Sequence, residues 1–155
     1  MAGNSGWDAI VFGEVVFAIG GVLEWAEQWH HRVAQLEKFD AAEDEQLAQV
    51  LLTPVGVAVR GWFSRDSFQE WCPRIEAMFS AAARIGGRGD VTFIGVDGPA
   101  YRLELANGRA SLHRIPAPGI EHPIVQEILV AVDTKAAKRA ALRLQAELDQ
   151  LRKVG

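Results

Sequence analysis

One predicted helix carries carboxylates and imidazoles at spacings that would suit a metal ion. Glu27 and His30 form an E-x-x-H pair. Glu24 and His31 fall on the same side of that helix. A helical di-iron centre needs such a pair twice, together with further carboxylates. Because isolated His/Glu pairs on helices are common, we interpret these residues as solvated surface and predict no metal site.

A second set of residues would suit acid–base or ligand chemistry. Glu14 interrupts an apolar strand, and a carboxylate in that setting is a candidate acid or base. The competing interpretation, which we prefer, places Glu14 at a strand end or beside an arginine. With Arg102 and His113, Glu14 defines the alternative hypothesis of a small enzyme or ligand-binding domain with a cleft between sheet and helices.

Familiar catalytic motifs are absent from the sequence. There is no glycine-rich phosphate loop with its lysine, no G-x-G-x-x-G opening a helix, no G-x-S-x-G and no cysteine-based zinc spacing. Residues 86–90, Gly-Gly-Arg-Gly-Asp, have amides that would suit an anion, but a strand follows instead of a helix N-terminus, which favours a plain turn. We therefore predict no catalytic residues and no cofactor.

Composition and charge indicate one globular domain over residues 1–155, with residues 1–6 frayed. The 155 residues are 49% hydrophobic and 23% charged. Residues 1–78 carry 5 Lys/Arg and 12 Asp/Glu, or −7, and residues 79–155 carry 11 and 8, or +3. The net charge of −4 argues against sequence-independent nucleic-acid binding.

The cysteine and hydropathy patterns favour a cytoplasmic protein that does not enter a membrane. Cys72 is the only cysteine, so no internal disulfide can form, and we expect it to fill space in the core. The apolar run over residues 9–23 contains Glu14 and is too short to span a bilayer as a helix.

The strongest structural signal is a three-stranded meander over residues 89–116. Asn107-Gly108 lies between two alternating runs and predicts a two-residue type I′ hairpin. That turn sets a register in which Leu103 faces Leu112, Glu104 faces Ser111 and Arg102 faces His113 on the following strand. Asp97-Gly98-Pro99 predicts the preceding turn.

The first half of the chain predicts a strand, two helices, a strand and a third helix. Residues 7–19 suit a central strand, and apolar residues from Val22 to Leu36 recur at helical spacing. A second helix is predicted from an Asp40 cap, with Leu47, Val50 and Leu51 as its buried stripe and Thr53-Pro54 as its end. A strand follows to Trp62. In the third helix, Ser67 and Glu70 fit a capping box, Pro73 predicts a kink or restart, and Gly86-Gly87 predicts the stop.

The pattern of the C-terminal segment, residues 120–153, predicts one long helix that begins near His122-Pro123. An alternative leaves residues 128–132 as a strand, with Asp133 capping a shorter helix. Apolar residues repeat in steps of four and three, and we expect them to pack on the chain's own domain, with pairing to another chain as the alternative. We call this set the apolar seam: Val130, Thr134, Ala137, Ala141, Leu144, Leu148 and Leu151.

The combined prediction is an α+β domain in which helices cover an antiparallel sheet of about five strands, in the order βααβαβββα. Polar residues are dispersed, which favours a non-catalytic protein-binding protein of bacterial type, such as an adaptor, an inhibitor or an immunity-like partner. We expect a monomer that binds another protein, for which an acidic protein is one candidate, with a homodimer through the C-terminal helix as the alternative. The predicted partner-binding surface comprises Arg102, Glu104, Arg109, Ser111, His113, Arg139 and Arg143.

Overall fold

A computed structural model of the chain describes residues 9–37, 46–95, 98–119 and 121–154. These residues form six strands and three helices, which confirms the α+β class and the long C-terminal helix, with one strand more than expected. In chain order the elements are β1 (Ala9–Val16), α1 (Gly21–Glu37), β2 (Gln46–Leu52), β3 (Gly56–Phe63), α2 (Arg65–Arg84), β4 (Arg88–Ile94), β5 (Ala100–Ala106), β6 (Arg109–Ile115) and α3 (Pro123–Val154).

Strand β1 lies in the middle of an antiparallel sheet whose strand order is β2-β3-β1-β4-β5-β6. The side chains of Ile10, Val11 and Val15 are fully buried, which confirms the predicted central strand. Since a strand between two neighbours has both edges hydrogen-bonded, its apolar residues need cover only on its two faces.

Two glycines allow β1 and β4 to lie close together. A Cβ atom at Gly13 would collide with the carbonyl oxygen of Asp90 on β4. A Cβ atom at Gly89 would collide with the carbonyl oxygen of Glu14 on β1, and Gly89 also has a φ of 144°. Any side chain at either position would push the two strands apart.

The β5–β6 hairpin has the predicted turn and register. Asn107 and Gly108 have φ values of 55° and 78°, as a type I′ turn requires. Leu103 pairs with Leu112. The side chain of Leu103 is buried in the core and that of Glu104 is exposed, so neighbouring residues of β5 point to opposite faces as expected.

The prediction of a second helix is wrong, because residues 46–52 form strand β2 at the edge of the sheet. Leu47, Val50 and Leu51 have helical spacing, but so short an apolar run is also compatible with a strand. Pairing with β3 buries Val50 opposite Val59 and leaves Leu51 exposed. The order of elements is therefore βαββαβββα.

The Thr53-Pro54 pair makes the β2–β3 turn and does not end a helix. The backbone N–H of Thr53 donates to the carbonyl oxygen of Gly56 at 2.9 Å, and the Thr53 hydroxyl accepts from the N–H of Val55 at 3.3 Å. The predicted cap Asp40 lies outside the described residues.

Helices α1 and α2 cover one face of the sheet and enclose the main core with it. Trp25 of α1 is fully buried, and its Nε1 donates to the carbonyl oxygen of Met78 on α2 at 2.8 Å. Its ring lies 5.5 Å from that of Phe79. The predicted helix over residues 22–36 is confirmed, and its tryptophan joins the two helices through a satisfied hydrogen bond.

Helix α2 begins with a different cap from the predicted one. The Oγ of Ser64 accepts from the N–H of Ser67 at 3.3 Å, so Ser64 is the N-cap and the predicted capping box of Ser67 with Glu70 is wrong. Ser67 is buried instead, and its hydroxyl donates to Oε1 of Gln46 on β2 at 2.7 Å. The helix continues through Pro73 as one element.

The predicted stop at Gly86-Gly87 is confirmed. Gly86 has a φ of 89°, and the N–H of Gly87 donates to the carbonyl oxygen of Ala82 in the last turn of α2 at 2.8 Å. Arg88 then starts β4, so the glycine-rich segment is the helix-to-strand turn that the sequence favours.

Helix α3 packs on the other face of the sheet through its first turns only. Val125 and Ile128 are buried against Ile10 and Ile94 in a second, smaller core. From residue 136 to 153 every side chain that the structure describes is exposed. The alternative of a strand at 128–132 is wrong, and so is the expectation that the apolar seam packs on its own domain.

Candidate functional site: a polar sheet face and a projecting helix

The face of the sheet opposite α1 and α2 is only partly covered. An apolar row that includes Ile10, Ile94 and Ile115 lies under the start of α3. Side chains alternate between the two faces along each strand, so every second cross-strand row of paired residues lies on this face. In the next two such rows most residues are polar. We call these residues the polar face: Arg60, Thr92, Arg102, His113, Glu14, Asp90, Glu104 and Ser111.

Three carboxylates cross the polar face on adjacent strands. Glu14 of β1 pairs with Asp90 of β4, which pairs with Glu104 of β5. All three residues are exposed. Like charges directly opposite one another are destabilising in a sheet, so this row concentrates negative potential that a cation or a basic group would relieve.

The sheet cleft lies where the loop before α3 and the start of that helix approach the polar face. Its volume is about 380 Å³. The strand register brings Glu14 and Arg102 into this one cleft, as the alternative hypothesis requires, but His113 does not line it. The lining residues are Phe12, Gly13, Glu14, Ala58, Val59, Arg60, Asp90, Thr92, Arg102, Pro118, His122 and Ile124.

Arg102 has an unused donor in this cleft. Its Nε atom is buried and has no hydrogen-bond partner among the described residues. A buried guanidinium N–H without an acceptor is costly, because it has lost its hydration without gaining a protein partner. The nitrogen is therefore available to an acceptor group of a bound molecule.

The other two basic residues that border the cleft already have structural roles. Arg60 of β3 forms an ion pair with Glu127, which ties α3 to the sheet. The His122 ring lies 5.1 Å from that of Phe12, and its Nδ1 accepts from the N–H of Ile124 at 3.2 Å. The hydrogen bond to Ile124 and the contact with Phe12 hold the start of α3 against β1.

The structure brings five of the seven predicted partner-binding residues together. Arg102, Glu104, Ser111 and His113 occupy neighbouring positions of β5 and β6, and Arg109 follows on the same side at the turn. The Nε2 of His113 is 3.7 Å from Oε2 of Glu104. The remaining two residues belong to α3, away from this face.

On α3, Arg143 lies in the exposed stretch that follows the packed turns. Residue 139 is within the helix, but the side chain of Arg139 is outside the described part of the structure. The predicted surface therefore divides into a sheet patch and a helix patch. Asp90, Thr92 and His122 were missed, because the proximity of the first two to Arg102 depends on the pairing of β4 with β5, and that of His122 depends on the position of α3.

The Glu27–His30 pair on α1 is on the surface. Glu24, Glu27, His30 and His31 are all exposed, and the two imidazole rings lie 4.0 Å apart. Nδ1 of His30 is 3.0 Å from the carbonyl oxygen of Glu27, which places it within hydrogen-bond distance of its own helix. Among the described residues no group of three or more His, Cys, Asp or Glu side chains is placed to hold a metal ion. That purified protein carries no metal stays a prediction.

Cys72 is half-buried and packs against the main core, as expected of a space-filling residue. Burial raises the pKa of its thiol to about 12, and the Glu76 carboxylate, whose Oε1 lies 3.6 Å from the sulfur, adds to this effect. A thiol in that state is a poor nucleophile at neutral pH.

The projecting part of α3 exposes the leucines of the apolar seam. Leu144, Leu148 and Leu151 are 57%, 40% and 68% exposed. Residues 136–153 amount to 18 helical positions, or about 27 Å of helix at ~1.5 Å per residue. This length of amphipathic helix packs on no other described element.

Comparison with known proteins adds no relationship for this chain: no protein-family model, no curated protein and no solved structure matches it. In the ranges that the structure describes, no helix combines the length and apolar character needed to cross a membrane.

Proposed function

We propose that the chain is a non-catalytic interaction protein, such as an adaptor or an inhibitor, whose binding element is the projecting part of α3. The observation that carries this proposal is the exposed apolar seam. Burying a leucine side chain contributes roughly 1.5 to 3 kcal/mol, and the three seam leucines keep much of that contribution unused in the isolated chain.

Helix energetics support the same proposal. In proteins, most helical stability comes from packing an amphipathic face and little comes from intrinsic propensity. Only the first turns of α3 pack on the sheet. A partner on the seam would stabilise the remaining turns and remove the leucines from water.

The polar face supplies a second surface of different chemistry. Arg102, Arg109 and His113 lie beside the carboxylates Glu104 and Asp90, so the patch is mixed in charge. Surface patches of mixed charge contribute more to the choice and orientation of a partner than to the affinity of binding. In this proposal the apolar seam supplies binding energy, and the mixed charges of the polar face supply selectivity.

Site-specific photo-crosslinking in cells of the source organism tests this role. A photoreactive residue at Gln145, beside the seam, is compared with one at Ala146, which is its exposed neighbour about 100° farther around the helix. We expect crosslinked species from Gln145, including self-crosslinks, and few from Ala146. Equal yields at the two positions, or none at either, would contradict an interaction role for the seam.

The unused Nε of Arg102 favours one second candidate, which is binding in the sheet cleft of a small zwitterionic molecule, whose acidic group would accept from Arg102 and whose basic group would face Glu14 and Asp90. Thermal unfolding in the presence of a panel of amino acids and other small zwitterions tests it. A stabilising compound should lose its effect in Arg102→Gln and keep it in Arg109→Gln, since Arg109 lies outside the cleft. A panel without any stabilising compound, or equal losses in both variants, would count against this candidate.

A further inference from the structure

We infer that the partner of the apolar seam is a second copy of this chain, paired in parallel and in register through residues 133–154 of α3. This inference rests on the proposed function and names the partner for the same surface. It is carried by the direction in which the seam faces and by the charges that flank it.

The seam faces away from the domain to which α3 belongs. The stripe that packs on the sheet comprises Val125 and Ile128, which are buried, and Ile124 and Leu129, which are half-buried. At about 100° per residue, Leu144 and Leu148 lie roughly 130° and 170° from the centre of that stripe around the helix axis. A second helix can therefore lie against the seam while both folded domains remain on the outside of the pair.

Positions beside the seam carry opposite charges on its two sides. In the heptad defined by the seam, Asp133 and Glu147 occupy g positions, and Lys138 and Arg152 occupy e positions. All four side chains are exposed. One edge of the seam is thus acidic and the other basic.

This arrangement selects a parallel pair. In a parallel coiled coil a g residue faces the e residue five positions later on the partner helix. Asp133 then faces Lys138 of the second copy and Glu147 faces Arg152, and the two-fold symmetry repeats both contacts. In an antiparallel pair, g faces g and e faces e, which would place acid on acid and base on base.

Residue size along the seam agrees with this geometry. Thr134, Ala137 and Ala141 lie nearest the domains, where small side chains let two helix backbones approach closely. Leu144 and Leu151 occupy d positions farther out, and leucine at d is favoured in parallel dimers. The pair is closest beside the domains and most apolar toward its outer end.

Sedimentation equilibrium of the full chain over a wide concentration range is the first test. We expect a reversible species of twice the 17.0 kDa chain mass. Leu148→Glu should be monomeric with an unchanged melting temperature for the domain, and Ala146→Glu, on the outer side of the same turn, should stay dimeric. A dimer that survives Leu148→Glu would overturn the inference, because its interface would lie elsewhere.

Charge reversal then tests orientation. In the parallel pair Glu147→Lys and Arg152→Glu should each weaken association on the order of tenfold, since two symmetry-related pairs become repulsive, and the double variant should recover. In an antiparallel pair each single change would strengthen association, which would overturn the inference. A wild-type chain that is monomeric at every concentration would also overturn it. Crosslinks from Gln145 to a different protein would in that case leave the proposed function standing.

Discussion

Replacement of Asn107-Gly108 by Ala-Ala should destabilise the fold through backbone conformation alone. Both residues have positive φ, where an alanine costs roughly 1 to 2 kcal/mol more than in its preferred regions. A Cβ atom at Gly108 would meet no atom within 4 Å, so collision adds nothing. Alanine also restricts the unfolded chain more than glycine, which returns about 0.4 to 1 kcal/mol at Gly108. The net expectation is a loss of about 1 to 3 kcal/mol.

Urea denaturation followed by tryptophan fluorescence measures this loss, since Trp25 is fully buried in the folded state. A chain of this size loses ~2 to 4 °C in melting temperature per kcal/mol, so thermal unfolding provides an independent readout. Gly108→Asn is the matched control, because asparagine adopts positive φ more readily than alanine. We expect this control to lose less stability than Gly108→Ala. An unchanged midpoint for Ala-Ala, or equal losses for the two single variants, would refute the role assigned to positive φ.

Three further predictions concern the sheet, the cysteine and the absence of metal. Leu103→Asp should unfold the protein or greatly weaken it, whereas Glu104→Ser should leave its melting temperature nearly unchanged; equal sensitivity would show that both faces of β5 are buried. The thiol of Cys72 should alkylate slowly at pH 8 and faster in Glu76→Gln. Because folding raises the pKa of this thiol from 9.0 to about 12, its contribution to the stability of the fold should decrease as the pH rises from 9 to 12. Fast alkylation at pH 8 would contradict the raised pKa. Elemental analysis should find no stoichiometric transition metal, and a metal that is lost in His30→Ala would overturn that prediction.

The parts of the fold that the sequence predicts well are those set by local chemistry. Asn107-Gly108 admits one kind of tight turn, and the turn determines every pairing of β5 with β6. The apolar spacing from Val22 to Leu36 extends over four turns, which is long enough to distinguish a helix from a strand.

The parts that were missed depend on contacts between distant segments. Strand β2 has too few apolar residues for its period to be decided, and only its pairing with β3 distinguishes it from a helix. The buried place of Ser67 depends on Gln46, which lies 21 residues away. The periodicity of α3 identified the apolar seam, but periodicity does not show which surface packs against it. The expectation that the seam packs on its own domain was wrong.

The sheet cleft was accessible to sequence reasoning only in part. Glu14 and Arg102 were selected by residue type, but their convergence requires the β1–β4 and β4–β5 registers together. The unpaired Nε of Arg102 is a property of packing that no pattern reports.

The central position of β1 has a consequence for the order in which the chain folds. Residues of β1 and β4 that pair are 72 to 84 positions apart, whereas the β2–β3 and β5–β6 hairpins close over a few residues. Loop-closure entropy makes such distant pairing late, so the hairpins should form before the β1–β4 ladder. During synthesis, β1 can pair with β3 before β4 has been made, and its other edge is then unpaired. That open edge belongs to one of the most apolar strands of the sheet, and it is an aggregation hazard for as long as β4 has not been made.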